Sequence, residues 1–519
     1  MRPRSITRRL SPIAWTLACL LLVPLPASTG ATREEVLPSG SSLIAPSVLW
    51  AGTMDPERLL GINETFWSAG INGSGQNIAI IDTGIRASHE AFAGKAINWT
   101  DVTSEASPVP IDLDGIEAGH GTMCASIVAG NSSTYKGIAP GADITVVKMF
   151  HVDGGSITAD NVDALAAVNR VLALSPALQI KVASLSWGDD NASDGNDALS
   201  QITENLVDGG LVTVVAAGNV VYSGKPAHVA APGASEKVIT VGSLDQLQFN
   251  VASFSLPGPT ADNRVKPDII APGVSILGAS HVSDTSYKVA QGTSFSTPIV
   301  SGIATLLVER YPTMDHYLLK HLFCVTALEC IYTRGAPDAR EGWGIVNPAG
   351  VVAAIGNEWS MDAPLAASIL MNRSSARSFF TRVHLIAGVT HRFAFSSSAG
   401  ESGMLDGRAE AYLYHATPAA DGVPGLVARS NAGIMLFSPD TTGEYILAIK
   451  PLPRAWSDGG GNLAMPFTIT HATDFTIQAS WAIGIAGTVA VAMLVIAMAR
   501  ELQGIMQWTW KGFKKRRKV

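Results

Sequence analysis

The sequence predicts an α/β fold with a doubly wound, mostly parallel sheet, followed by a β-sandwich and one transmembrane helix. Three observations predict this order. Apolar runs of strand length alternate with helix-like segments up to about residue 357, period-two alternation follows over 358–474, and residues 475–499 carry no charge. Continuous apolar strands suit a sheet that helices cover on both faces, whereas alternation suits half-buried antiparallel strands. A chain of 519 residues is long enough for more than one domain.

Residues 1–31 predict a secretory signal peptide. Four arginines precede an apolar run over 12–25, and small residues follow, which is the order that such peptides share. A retained N-terminal anchor is the alternative, which the short apolar run disfavours. Residues 32–59 then form a short N-terminal or pro-segment before the predicted α/β domain of 60–357.

Four polar residues in this domain adjoin apolar segments. Asp82 ends a β-branched strand, and ligands gather at the carboxyl edge of such parallel strands. His120 stands between two glycines at the start of a small-residue helix, and Asn219 ends another apolar strand. Ser294 precedes an apolar helical segment over 299–307. Each residue alone has an ordinary interpretation as a turn, cap or exposed residue.

Together, these residue types support nucleophilic catalysis. A serine hydroxyl attacks a carbonyl efficiently only when a neighbouring base takes its proton. A histidine with an ordinary pKa near 6.5 can be that base, and a carboxylate can orient its ring. Backbone N–H groups at the helix start and the Asn219 amide can donate to the oxyanion that forms.

In this order and context, the residues resemble the motifs of the subtilisin-like serine proteases, or subtilases. Further matching motifs occupy residues 137–142, 253–255, 266–273 and 343–348. The resemblance implies hydrolysis of peptide or protein substrates by catalytic Asp82, His120 and Ser294, with Asn219 in the oxyanion hole. Relatives often carry a larger prodomain than residues 32–59 can form, so either folding is unassisted or this segment is a small pro-peptide.

The resemblance also assigns a substrate-binding pocket between two strand ends. Its walls are Ser186, Trp187, Gly188, Ala216, Ala217 and Gly218. Trp187 either narrows an adjacent subsite or is a core tryptophan. The family requires no cofactor for the chemistry, although structural calcium is frequent. The carboxylates of residues 112–115 do not match a full calcium-binding pattern, so the calcium ligands stay unassigned.

Three cysteines remain after the predicted signal peptide. Cys324 and Cys330 are close in sequence, and an exported location permits a disulfide between them. Cys124 lies four residues after His120 on the predicted helix, and we expect it to be a buried thiol.

The alternating strands of residues 358–474 predict a β-sandwich domain. It resembles the pre-peptidase C-terminal and P-type domains that follow many proteases. Stabilisation of the protease, binding of a surface partner and spacing from a membrane are three roles that the sequence leaves open.

Residues 475–499 are long enough to cross a bilayer, and the basic tail of 500–519 predicts a cytoplasmic C-terminus. Anionic lipid is a better partner for this tail than nucleic acid. Net charge is −7 overall, and it is −17 for residues 32–499 once the four arginines before them and the net +6 after them are set aside. This acidity gives no reason to expect nucleic-acid binding. Six glycosylation sequons begin at Asn63, Asn72, Asn98, Asn131, Asn191 and Asn372.

The sequence therefore predicts a single-pass membrane endopeptidase whose catalytic domain is extracytoplasmic. A peptide-binding pseudoprotease and an adhesion or scaffold protein are the alternatives. The natural substrate and the oligomeric state are not predicted.

Overall fold

The computed structural model describes residues 55–113, 119–133, 135–189, 191–220, 228–330, 337–370, 378–397, 408–453 and 464–473. The predicted signal peptide, most of the 32–59 segment, the predicted span of 475–499 and the basic tail lie outside these residues. Within the described ranges, no helix combines the length and the apolar character that a membrane crossing requires.

An eight-stranded, largely parallel sheet organises the first part of the described chain. The strands of this part are β1 (Asn77–Asp82), β2 (Ile97–Asp101), β3 (Asp143–Lys148), β4 (His151–Asp153), β5 (Ser156–Thr158), β6 (Ile180–Leu185), β7 (Val212–Ala216), β8 (Ile239–Asp245), β9 (Asn250–Val251), β10 (Ile269–Pro272), β11 (Ile276–Ala279) and β12 (Tyr287–Ala290). The spatial order is β10-β8-β7-β6-β1-β3-β2, with β9 antiparallel to β8. The pairs β4–β5 and β11–β12 form small antiparallel sheets.

Helices cover both faces of the sheet. They are α1 (Pro56–Leu59), α2 (Ile62–Thr65), α3 (His120–Ala129), α4 (Asn161–Leu178), α5 (Ala198–Asp208), α6 (Thr293–Arg310), α7 (His316–Thr326) and α8 (Pro348–Gly356). In β1, Ile78 and Ile80 pack with α3 and α6, whereas Ala79 and Ile81 pack with α4 and α5. Because alternate residues of a strand face opposite sides, a wholly apolar strand fits this two-sided core. The predicted doubly wound sheet is therefore confirmed.

The central position of β1 determines where ligands can approach. Later strands lie on both sides of it, with β3 on one side and β6 on the other. Such a reversal of strand order leaves a crevice beyond the carboxyl ends. Asp82, the last residue of β1, lies at this point.

Two four-stranded antiparallel sheets follow. Their strands are β13 (Leu365–Leu370), β14 (Phe379–Leu385), β15 (His391–Ser397), β16 (Ala409–His415), β17 (Leu426–Ser430), β18 (Ile434–Phe437), β19 (Gly443–Pro451) and β20 (Ala464–Thr473). The orders are β13-β20-β15-β18 and β14-β19-β16-β17, and apolar residues of both sheets share one cluster. Tyr412, Tyr414 and Ile446 instead join the core around α6 and α7, so the second sheet is attached to the α/β part.

The predicted disulfide between Cys324 and Cys330 is wrong, because both thiols are free. Cys324 is fully buried near the end of α7, within the apolar core. Cys330 lies beyond the helix, and its backbone N–H and its Sγ each lie 2.8 Å from Glu341 Oε2. The two side chains thus have different partners despite their closeness in sequence.

Candidate active site

Asp82 and His120 form a buried pair where β1 ends and α3 begins. Asp82 Oδ1 lies 2.7 Å from His120 Nδ1, with Asp82 fully buried and His120 3% exposed. The backbone N–H of Thr83 donates to the same carboxylate oxygen at 2.7 Å. When Nδ1–H donates to Asp82, Nε2 is the ring nitrogen that can accept a proton.

Opposing effects set the pKa of His120. Burial disfavours the imidazolium, but the adjacent Asp82 carboxylate favours it, and the net result raises the His120 pKa well above its usual value. The imidazole therefore binds a proton more readily than an exposed histidine does. Only the neutral ring can accept a proton from a serine, so His120 can act as a general base at pH values above this raised pKa.

Ser294 is the second residue of α6, a helix that is buried along nearly its whole length. Its hydroxyl donates to the backbone carbonyl of Ser186 at 2.9 Å. The ring of the next residue, Phe295, lies 5.7 Å from the ring of His120 between centroids. The start of α6 therefore lies next to the Asp82–His120 pair, while the Ser294 hydroxyl itself bonds to Ser186.

Cys124 contacts both the histidine and the serine segment. Its Sγ lies 3.8 Å from Nδ1 and 3.9 Å from Nε2 of His120, and 3.5 Å from the carbonyl oxygen of Ser294. In an unbroken helix that carbonyl would accept the N–H of residue 298, but Pro298 has none. The Cys124 thiol, a weak hydrogen-bond donor, donates to the Ser294 carbonyl instead.

The prediction that Cys124 is a buried thiol is confirmed. Burial raises the pKa of Cys124 to about 11, so the group is protonated at neutral pH and is a poor nucleophile. Asp82, His120 and Cys124 offer ligand atoms within 4.8 Å of one another. Because metal binding requires a thiolate, whereas this thiol is protonated and Nδ1 already contacts Asp82, the trio does not fit a metal centre.

Asp112, the first carboxylate of residues 112–115, already accepts hydrogen bonds on both of its oxygens. Its Oδ1 accepts from the Thr83 hydroxyl at 2.6 Å and from the Leu113 N–H at 2.9 Å. Its Oδ2 accepts from the Thr122 N–H at 2.8 Å. A calcium ion would have to displace these hydrogen bonds, so Asp112 does not fit a calcium ligand; residues 114–118 lie outside the described chain.

Asn219 lies beyond β7, with its side-chain amide held beside α6. Its Oδ1 accepts from the backbone N–H of Thr293 at 3.0 Å and from the Thr293 hydroxyl at 3.2 Å. Because the oxygen faces these donors, the NH2 group projects from the opposite side of the amide. This orientation suits donation to a negatively charged oxygen formed at Ser294.

The two predicted pocket walls follow neighbouring strands. β6 and β7 are parallel, with Leu185 in register with Val215. The segments 186–188 and 216–218 therefore lie side by side at the carboxyl edge of the sheet. Asp189 continues the first wall, and burial raises the pKa of its carboxyl to about 6. The sequence motifs did not point to this acid.

Trp187 is a core tryptophan, so the subsite-narrowing interpretation of its side chain is wrong. The side chain is 3% exposed and packs in the cluster formed with α4 and α5. Its indole N–H donates to the carbonyl of Ile81 at 2.8 Å, and its ring meets Phe150 edge to face. The ring therefore points into the core behind the pocket wall.

Comparison with known proteins places this chain in a family. The sequence model of the Subtilase family matches residues 73–344, which is just over half of the chain. The chain is 34% identical to the serine protease AprX of Bacillus subtilis over 279 residues, which cover 49% of this chain and 61% of AprX. It is 30% identical to subtilisin DY of Bacillus licheniformis over 260 residues, which cover 50% of this chain and 85% of subtilisin DY.

A eukaryotic relative matches a similar share of the chain. The subtilase-type proteinase RRT12 of Saccharomyces cerevisiae is 32% identical over 258 residues, which cover 49% of this chain and 48% of RRT12. The chain thus spans between about half and three-fifths of the length of AprX and RRT12. Among solved structures, the prenylagaramide maturation protease PagA is 24% identical with a TM-score of 0.45, covering 56% of this chain and 97% of PagA.

Proposed function

The chain belongs to the subtilase family, and on this premise we propose that it is a serine endopeptidase that hydrolyses peptide bonds through an acyl-enzyme on Ser294. The observation that carries the proposal is the 2.7 Å contact between Asp82 Oδ1 and His120 Nδ1. This buried pair adjoins the start of α6, where Ser294 occupies the second helical position.

The mechanism follows from these three side chains. His120 Nε2 takes the proton of the Ser294 hydroxyl as its oxygen attacks the substrate carbonyl carbon. The imidazolium then returns the proton to the departing amine, which leaves an acyl-enzyme. Water attacks the acyl group with the same base and releases the acid product. Asp82 holds the ring orientation and stabilises the imidazolium at each step.

Two donors stabilise the tetrahedral intermediates. The Asn219 NH2 group and the backbone N–H of Ser294, near the positive end of α6, donate to the oxyanion. The peptide substrate lies along the segments 186–188 and 216–218, which places its carbonyl at these donors. An acidic ectodomain of net charge −17 favours cationic over acidic peptides at long range.

A fluorophosphonate probe tests the proposal on the purified full chain. The probe labels a serine only when a neighbouring base activates it, so we expect labelling of wild type and none of Ser294→Ala. Peptide hydrolysis should disappear in the same variant. A folded wild type that resists labelling and cleaves no peptide contradicts the proposal and favours a pseudoprotease or a scaffold protein.

The proposal also includes export and attachment to a membrane. The sequence of residues 1–31 has the charged, apolar and small-residue order of a signal peptide. The uncharged run of 475–499 and the basic residues after it support one span with a cytoplasmic tail. Alkaline carbonate should leave the full chain in the membrane pellet, whereas a chain ending at residue 474 should be released. Extraction of the full chain by carbonate contradicts this part.

Exposed sequons support glycosylation in an exported chain. Asn63, Asn131 and Asn191 are exposed, whereas Asn72 and Asn98 are half-buried; Asn372 lies outside the described residues. Treatment with a glycosidase should increase the electrophoretic mobility of the native protein. Replacement of the three exposed asparagines by glutamine should remove that difference.

A further inference from the structure

The helix that carries His120 begins without a cap of its own. Gly119 occupies the N-cap position and makes no side-chain cap bond. Two side chains from other segments bond to the first-turn N–H groups. The Gly121 N–H donates to Thr83 Oγ1 at 2.9 Å, and the N–H of the next residue donates to Asp112 Oδ2 at 2.8 Å. Because unpaired N–H groups at a helix start need partners, these two residues hold α3 in place.

Asp112 connects this helix to the strand that carries Asp82. Its Oδ1 accepts from the Thr83 hydroxyl at 2.6 Å, and Thr83 in turn donates its backbone N–H to Asp82 Oδ1 at 2.7 Å. Its Oδ2 also accepts from the Thr122 hydroxyl. One carboxylate is therefore shared by the end of β1 and the start of α3, through charge-assisted hydrogen bonds of the stronger kind.

The backbone fits closely at this junction. A Cβ atom on Gly84 would lie 2.0 Å from the carbonyl oxygen of Ile111, and one on Gly121 would lie 2.2 Å from the carbonyl oxygen of Gly84. The N–H of Ile85 donates to the Ile111 carbonyl at 3.0 Å. Since residues 111–113 are held against the strand end and the helix start, the Asp112 carboxylate has little freedom to move.

We propose that Asp112 is a positioning residue, which holds Asp82 and His120 in the relative placement that catalysis needs. The inference rests on the proposed function of Asp82, His120 and Ser294. Asp112 bonds to Thr83, Leu113 and Thr122, and it would act on Asp82 and His120 through Thr83 and Thr122; Lys288 also lies within reach of its charge. A displacement of about 1 Å in an active site can lower a rate roughly 100-fold, so the loss of this link affects turnover more than substrate affinity.

Asp112→Asn in the full chain tests the proposal. The amide has nearly the same shape, but its NH2 group faces Thr83 or Thr122, which are donors. We expect kcat per active site, counted with a fluorophosphonate, to fall roughly 10- to 100-fold with KM nearly unchanged. The acid limb of the pH–rate profile should move to lower pH, because a looser carboxylate supports the imidazolium less.

Asp101→Asn is the matched control. Asp101 ends β2 at the same edge of the sheet, and its carboxylate accepts from Thr103 and Ser107 and pairs with Lys148 at 2.9 Å. We expect this variant to melt at lower temperature while its rate per active site and its pH profile stay those of wild type. A purely structural Asp112 would behave in the same way, and that result would overturn the proposal.

A second pair of variants applies if Asp112→Asn does not fold. Thr122→Ser keeps the hydroxyl that donates to Asp112 and should retain wild-type turnover. Thr122→Val loses the hydroxyl, and its turnover per active site should fall severalfold. Equal turnover in the two variants overturns the proposal. A wild type without Ser294-dependent hydrolysis is a different result, because it removes the proposed function and the positioning role together.

Discussion

Buried polar side chains occur in the parallel sheet and in the antiparallel sheets, and they have different kinds of partner in the two regions. At the edge of the parallel sheet, the carboxylate of Asp82 and the ring of His120 contact each other at 2.7 Å beside a crevice. In the antiparallel sheets, Glu410 and Lys450 are opposite each other on β16 and β19. These two residues are only 4% and 3% exposed.

Lys450 attaches the antiparallel sheets to the α/β part of the molecule. Lys450 Nζ donates at 2.9 Å to the carbonyl of Ala327, immediately after α7, and lies 5.5 Å from the ring centroids of Tyr412 and Tyr414. A cation is favourable at a helix C-terminus. The comparison teaches that a buried charge does not by itself identify a catalytic site. The proposal of a catalytic site rests instead on a carboxylate and an imidazole in contact at the carboxyl edge of a parallel sheet, next to the helix start that carries a serine.

The largest expected effect tests whether the residues at the crevice act as one unit. Ser294→Ala and His120→Ala should each lower kcat about 10⁶-fold, the magnitude measured in subtilisin, and the double variant should lose no more. The physical reason is that the base has no role without the nucleophile it activates. Steady-state peptide hydrolysis measures this. Losses that multiply in the double variant would mean that the two side chains work independently.

The next effect isolates the oxyanion donor. Asn219→Ala should lower kcat roughly 10²- to 10³-fold, as loss of the corresponding donor does in subtilisin, with KM within a fewfold of wild type. The amide stabilises charge that is present only in the transition state. Asn250→Ala, at an exposed strand end, is the control and should match wild type. A rise in KM alone for Asn219→Ala would assign the amide to substrate binding instead.

The pH dependence should report the raised pKa of His120. Protonation removes the base, so kcat/KM should fall about 10-fold for each pH unit below that pKa. Asp82 raises the pKa above the ordinary value of 6.5, so the midpoint of the acid limb should lie above pH 6.5. A pH–rate profile with a soluble peptide measures it. A rate that is flat between pH 5 and 8 is incompatible with His120 as the base.

The smallest expected effect on the rate is that of Lys450, which joins the antiparallel sheets to the α/β part; its substitution should change stability and leave the rate unchanged. Burial lowers the pKa of Lys450 from 10.5 to about 8, so the unfolded chain binds this proton more tightly than the folded one. Stability therefore increases as pH rises from 8 towards 10.5, by up to about 3 kcal/mol for this group. Lys450→Met should lack this increment in denaturant unfolding at pH 8 and pH 10, with the rate per active site unchanged. A changed rate would mean that the junction influences the crevice.

The catalytic candidates were predictable because each lies in a short motif beside an apolar element. Asp82 ends a wholly apolar strand, and Ser294 starts an apolar helix. Burial on both faces required a sheet covered by helices, and parallel strands bring their carboxyl ends to one edge. Motif order along the chain then matched a known family, which the comparisons confirm over residues 73–344.

Side-chain direction and contacts between remote segments were not predictable. Trp187 belongs to a motif that marks a pocket wall, but its ring turns into the core. Cys324 and Cys330 are six residues apart, and the direction of their side chains, not this spacing, decides whether they can bond. The Asp112 link depends on the path of a loop, and the Lys450 contacts depend on how two separately patterned regions meet.

The burial of α6 has a consequence for how long the proposed activity would last. Residues Thr293–Val308 are buried, so this helix cannot detach without exposing much of the core. Segments of this kind open only in global unfolding events. Amide hydrogens in the body of α6, over residues 301–308, should then be among the slowest to exchange, and heat inactivation should coincide with melting of the α/β region. Ser294, the proposed nucleophile, should therefore stay in position until the α/β region itself unfolds.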